Sequence, residues 1–487
     1  MKHPLFVLLL GFVPALQAQT DIHKTYAYSP SFDAGVKILP SADGYVIFGN
    51  QRQSTTDTRR DAFLVRVNRA GEQIAHTVYG SPTATEGSAE GMGIAATPDG
   101  WILATNKTES IIGSVSQAWL LRINTAGAVI WSQTASFSGL NNIVLSDVAP
   151  VPGGGFLACG YGVIGSGRQM IALKVSDNGV VEWSRKYGPG AGIGLYVSPG
   201  GSNGVIAGGN KIWKIRTLNG DVAWEKTLTP PLYGAATGTV SIDLNDVTPT
   251  IDGEFAVAGM ISNDDLLEFN SAFYVATWTE AGTQRWERLY HSATLTNFSL
   301  TEATSVQYLP NAQELLLGGV FDGQLLISRL NLKGVEKDSR TIMPTGELFN
   351  PAVIKAGPYY AATGGVLIGG ANIDTYFFRS AGNSLDMSAG SGNTNNTTPP
   401  ATLAHDGLRV YPNPAVHQVT IELDTETGGV STLRLTDAAG RMVRLLRPEL
   451  VAGYNRLEVN LEGLAPGLYW LNSGQANVPA QILLKRE

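Results

Sequence analysis

Five carboxylates return at a regular interval along this 487-residue chain. Asp33, Glu90, Asp147, Asp246 and Glu302 lie 57, 57, 99 and 56 positions apart, and the 99 reads as two steps with one position skipped near Gly194. Asn350 stands where a further member of the series would fall. Carboxylates in such a series have two uses. Set around one mouth of a channel, a ring of oxygens suits a hard cation such as calcium, or makes a negative mouth that selects a ligand. Alternatively, each carboxylate accepts backbone N–H bonds from a neighbouring repeat and fixes its packing. The sequence leaves both open, so calcium is the one ion with candidate ligands, and no other cofactor is expected.

Other chemistry is sparse. The six histidines are scattered, and His76 and His291 fall near the edges of repeats, where solvated side chains are expected. No phosphate-binding glycine motif, His-Glu-x-x-His or Gly-x-Ser-x-Gly elbow is present. Cys159, the single cysteine, ends an apolar run from Phe156 and reads as a small core residue. No catalytic residue is therefore assigned.

The elements that must position the carboxylates repeat as well. Alternating residues, a polar turn ending in Gly, and a short run to Trp occur at 120–131, 171–183, 212–224 and 273–286. Copies without the Trp lie at 63–75 and 325–338. Each reads as two strands around a turn whose Gly supplies positive φ. An apolar strand after a Gly turn precedes each hairpin, as in Gly44-Tyr45-Val46-Ile47-Phe48, and a further short strand precedes that. Four strands in about fifty residues is the make-up of a propeller blade. The reading is an all-β, seven-bladed β-propeller over 19–380. Its seventh unit stops after three strands, so the segment from Ile22 to Tyr28 is expected to supply the outer strand and close the ring. A β-solenoid is the alternative, but its repeats are usually shorter. The four hairpin tryptophans, Trp131, Trp183, Trp224 and Trp286, resemble the docking Trp of quinoprotein repeats. That resemblance implies packing between blades. The longer repeat and single cysteine depart from the quinoprotein pattern.

Composition agrees with many short strands: 43% hydrophobic, 15% charged and 57 glycines. The formal charge is −7 with no basic block, so no nucleic-acid partner is expected. Residues 1–18 read as a signal peptide, with Lys2, an apolar run from Leu5 to Val13 and a cleavage site before Gln19. No segment reaches the roughly 20 apolar residues of a membrane helix. Residues 381–407 read as a flexible linker, stiffer at Pro399-Pro400.

Alternation returns over 408–487, where about six short strands suggest a small Ig-like β-sandwich. Tyr411-Pro412-Asn413-Pro414 opens it, Asp437 to Arg441 makes a turn through Gly440, and Gly467-Leu468-Tyr469 leads into the penultimate strand. Lys485 lies near the end. These motifs, in this order, closely resemble the type A sorting domain of the type IX secretion system. The resemblance implies passage through the Sec pathway and the outer membrane, the secretion machinery as a partner, and release or surface attachment. The propeller is then expected to bind an extracellular glycan, polymer or protein without catalysis. A secreted polysaccharide lyase or hydrolase is the alternative, and a quinone-dependent dehydrogenase a distant third.

Overall fold

The architecture comes from a computed structural model. It describes residues 20–29, 31–52, 60–80, 89–108, 116–231, 233, 239–264, 270–294, 301–369 and 372–382. In the tail it describes 409–411, 415, 417–425, 429–437, 441–450, 453–472 and 481–485. The signal segment, residues 383–408 and the motif residues Pro412, Asn413, Pro414 and Gly440 lie outside the described residues.

The long first part of the chain is a propeller of four-stranded antiparallel units, ordered outward along the sequence except in the last, whose outer strand comes from the start of the chain. Among the described residues there are five separate sheets of this kind and one of eight strands that divides into two four-stranded halves, and these units are called blades one to seven below. Their innermost strands are Asp33–Pro40, Ala89–Thr97, Asn141–Pro150, Gly194–Val197, Val240–Pro249, Glu302–Leu309 and Glu347–Ala356. Blades one and two also share a single parallel bridge between Asp61 and Ala89. The outer strand of blade seven is Ile22–Tyr26, which pairs antiparallel with Asn372–Arg379 from Ile22–Arg379 to Tyr26–Thr375. The start of the propeller chain is thus woven into its last sheet.

Burial explains the strand sequences. Second strands such as Gly44–Gln51 are buried along their whole length, because neighbouring blades cover both faces, so they read as unbroken apolar runs. Fourth strands such as Val181–Pro189 alternate, with one face in solvent. The core lies between blades. Ile102, Leu120, Phe156 and Leu173 form one cluster across blades two and three, and Ile38, Phe63, Ala361 and Phe377 join blades one and seven. Cys159 is fully buried in a third cluster.

The tail forms two further sheets. One orders Arg409–Tyr411, Gln418–Thr425 and Gly453–Asn460; the other orders Met442–Leu446, Leu433–Asp437, Gly467–Asn472 and Gln481–Lys485. Val419, Ile421, Leu423, Leu435, Tyr469 and Leu471 fill the space between them.

Candidate functional site

The first strand of six blades carries an irregularity near its middle, as at Gly35/Lys37, Leu145/Asp147, Leu244/Asp246 and Ala303/Ser305. A bulge re-aims the residue that follows it. At that position stand Lys37, Gly93, Asp147, Asp246, Ser305 and Ala352. Asp147 accepts the N–H of Val148 at 2.9 Å with Oδ1 and that of Leu195, in the next blade, at 3.0 Å with Oδ2. Asp246 does the same with Val247 and, in blade six, Val306, both at 2.9 Å. Ser305 Oγ accepts from Val353 of blade seven at 3.1 Å. One position in the strand is therefore a latch to the following blade.

The other three carboxylates sit elsewhere. Asp33 lies four residues before Lys37 and is fully buried. Its Oδ2 accepts from the N–H groups of Tyr28 and Ser29 at 2.9 and 3.1 Å, and its Oδ1 from the N–H and Oγ1 of Thr375, both at 2.8 Å. Glu302 and Glu90 each lie three residues before the latch position. Glu302 accepts from Asn245 Nδ2 at 2.7 Å, and Glu90 lies 3.9 Å from Arg60 Nε. The even sequence interval thus maps onto three levels of the strand, not one ring at a mouth. Unequal loops between blades absorb the difference in register. Among the described residues no three His, Cys, Asp or Glu side chains stand close enough together to hold a metal ion.

Across the channel, Lys37 feels Asp246 and Asp147. Burial alone would lower its ammonium, but the two carboxylates outweigh it and hold the pKa above the usual lysine value. Burial pushes Asp147 up to about 6 despite Lys37, with Asp246 adding to the rise. Asp33 is pushed up to about 6 by burial, against its four hydrogen bonds. A carboxyl with a raised folded pKa binds its proton more tightly in the native state, so its contribution to stability falls as pH rises from about 4 through 6. The substitution Asp147→Asn removes the ionisation and one acceptor. Its melting temperature relative to the parent should therefore improve between pH 5 and pH 8, whatever the offset at pH 5. A difference that stays flat across that range would show Asp147 to be unperturbed.

Further latches occupy the rim. The four hairpin tryptophans each donate Nε1–H to a carbonyl in the next blade's hairpin turn: Trp131 to Asp177 at 2.8 Å, Trp183 to Thr217 at 2.9 Å, Trp224 to Glu280 at 3.2 Å and Trp286 to Leu332 at 2.9 Å. Each ring lies against that turn's glycine, Gly179, Gly220, Gly282 or Gly334, which has positive φ and no room for a Cβ. Sequence reasoning missed a second device. Tyr26, Tyr79, Tyr187 and Tyr290 donate O–H to the carbonyls of Gly71, Gly127, Gly220 and Gly334 at 2.6–2.8 Å. The signal was present, since Tyr187 and Tyr290 each follow a hairpin Trp by four positions. The histidines depart from expectation to different degrees. His291 is 4% exposed, has a φ of 53°, is flanked by Phe273 and Phe321, and lies 2.8 Å from Glu336 Oε1 through Nε2. His76 is half-buried and stacks on Tyr28. His291 is thus enclosed by aromatic rings, whereas His76 keeps part of its surface in solvent.

In the tail, Arg441 folds back on Asp437, its N–H donating to Oδ1 at 3.0 Å and its Nε to Oδ2 at 2.9 Å. Tyr469 is buried and donates to the carbonyl of Ala465 at 2.6 Å, pinning the turn before its strand. Gly467 opens that strand, Tyr411 ends the first strand of the tail, and Lys485 ends the last. The family model described as "Secretion system C-terminal sorting domain" matches residues 409–482. The tail is a type IX secretion sorting domain. The protein is accordingly exported across the outer membrane, to a secreted or surface-attached state, and the sorting domain engages the type IX machinery. No helix among the described residues is long and apolar enough to cross a membrane.

A comparison with curated proteins gives no match. Among solved structures the chain is similar to BamB from Moraxella catarrhalis, at 13% identity and TM-score 0.37, over 73% of this chain and 99% of that one. It is similar to the Dos1 propeller at 13% identity and TM-score 0.45, over 75% and 95%. The periplasmic gluconolactonase PpgL of Pseudomonas aeruginosa matches at 14% identity and TM-score 0.42, over 63% of this chain and 88% of that one. The functions of these proteins are not carried over to this chain.

Proposed function

We propose that the propeller is a binding scaffold, carried outside the cell by its sorting domain, that recognises an extracellular glycan, polymer or protein through the face where its first strands begin. The observation that supports this most is how the polar groups of the interior are used. Asp33, Asp147, Asp246 and Ser305 are hydrogen-bonded to backbone across blade boundaries, as are the tryptophan and tyrosine latches of the rim. Groups engaged in this way hold a frame rigid, and a rigid frame displays loops. Binding of the exported protein to an array of glycans and cell-wall polymers, with and without calcium, tests the reading. Saturable retention of one class, unchanged by calcium, is the expected result. A blank array would remove glycans and polymers from the reading.

One observation favours the enzymatic alternative. Asp147, pushed up to about 6 by burial, shares the channel with Asp246 and Lys37, and a carboxyl that titrates near neutral pH can act as a general acid or base. Both carboxylates already hold two backbone N–H groups, which is why binding is preferred.

A further inference from the structure

Basic side chains on the two faces of the propeller differ in how many have a carboxylate partner, although Arg122 and Arg379 on the hairpin face also lie over the rings of Phe156 and Tyr359. On the face of the hairpin turns, third-strand cations are neutralised by carboxylates. Arg66 meets Asp43 at 2.5 Å, Lys174 meets Glu182 at 2.8 Å, and Lys214 meets Glu280 at 2.9 Å. Arg122 and Arg329 pair in the same way with Asp99 and Asp338. Those charges are cancelled where they stand.

On the opposite face, at the channel mouth, blades one to four hold cations on aromatic rings instead. Arg60 and Arg52 lie 4.3 and 5.5 Å from the ring centre of Phe32, and Lys107 lies 5.4 Å from that of Trp119. Arg168 lies 4.5 Å from Tyr161, and Lys211 lies 5.8 Å from Trp213. A ring fixes a cation without cancelling its charge, so the field stays available to an outside anion. Two of the five also have a carboxylate in reach, Glu90 at 3.9 Å from Arg60 and Glu225 at 2.6 Å from Lys211. Arg52, Lys107 and Arg168 have no carboxylate partner among the described residues, and Arg168 is exposed.

Among the described residues the other half of the mouth carries the reverse sign. Blades five to seven present Asp243, Asp264, Asp322 and Glu347, all exposed, with Glu302 and Asp374 half-buried. Among the described residues the mouth half of these blades has one cation, Arg340, and it is turned to Asp21. A polyanion is therefore attracted to one arc and repelled from the rest of the face.

The geometry points to an anionic polysaccharide, carrying uronate or sulfate groups, lying along the mouth of blades one to four. This rests on the binding reading above and names its ligand class. Cations spaced about one to a blade suit a chain with isolated charges. Nucleic acid fits less well, because the ring faces that would stack on bases are covered by cations, and because its dense charge would extend onto the acidic arc.

The test uses the exported protein with polygalacturonate, chondroitin sulfate, neutral dextran and oligo-dT as probes, at about 50 and 300 mM salt, where screening differs severalfold. Saturable binding to an acidic glycan, weakened by salt and absent for dextran, is expected. Arg52→Glu with Arg168→Glu should weaken it about tenfold or more, and Glu347→Lys should strengthen it. Arg168→Gln, a milder change at an exposed site, should weaken it in the same direction, with unchanged melting as the check on folding. Equal binding to oligo-dT, or binding that these variants leave unchanged, would overturn the assignment. Loss of acidic-glycan binding with a neutral glycan bound in its place would overturn the ligand class while leaving the scaffold reading intact. Failure of every probe on the wider array would overturn the ligand class and leave a protein as the partner of the scaffold.

Discussion

A chain lacking residues 20–28 should lose its cooperative thermal transition and aggregate at concentrations where the parent stays in solution. The segment supplies the outer strand of blade seven, so its loss bares the edge of residues 375–379. An unpaired edge strand is a template for association between chains. The deletion also removes the Tyr26 latch to Gly71, the stack of Tyr28 on His76, and the Tyr28 N–H that Asp33 holds. Asp21 would no longer bind the N–H of Ala381 or the guanidinium of Arg340. Ile22, Tyr26 and Tyr28 are half-buried, so each contributes less than the roughly 1.5–3 kcal/mol of a fully buried side chain, but a whole protein has only about 5–15 kcal/mol to lose. Asp33→Ala should act in the same direction but more weakly, because it strands about three buried N–H groups at about 1–3 kcal/mol each. Differential scanning calorimetry decides the matter: an unchanged, reversible melt for the deletion would mean the ring is held by other contacts.

Removal of residues 409–487 should trap the propeller inside the outer membrane. The sorting domain is the part of the chain that the type IX machinery reads, and its core of Val419, Ile421, Leu435 and Leu471 is separate from the blade clusters. The truncated propeller should therefore still fold, and fractionation should find it in the periplasm and not at the surface or in the medium. Surface display that survives truncation would contradict the assignment. Tyr469→Ala should give an intermediate result, since it removes a buried ring and frees the turn at Ala465.

The fold was legible because its signals are local. A Gly turn followed by Trp marks a hairpin wherever it occurs, and apolar runs mark strands covered on both sides. The closing role of the first strand was legible for the same reason: Ile22 to Tyr26 resembles the fourth strands that follow each hairpin. The site was less legible. Equal spacing of Asp33, Glu90, Asp147, Asp246 and Glu302 suggested one ring, but spacing along the chain also counts loop residues. A shift of a few residues moves a side chain to another level of the strand. The bulge that sets Asp147 and Asp246 at a common level with Lys37 leaves no mark in composition. The burial of His291 arises from Phe273 and Phe321, which lie far from each other in sequence, so it could not be read from neighbouring residues. The split in charge at the channel mouth depends on which ends of the strands share a face, which the sequence shows only once the strand directions are known.

The central claim is recognition without turnover, and the most direct test is to incubate the exported protein with an acidic polysaccharide it binds and assay for new reducing or unsaturated ends. Saturable binding with no product above the blank is the result predicted. Product that accumulates with time and disappears in the Asp147→Asn variant would contradict it, and would make the channel an active site.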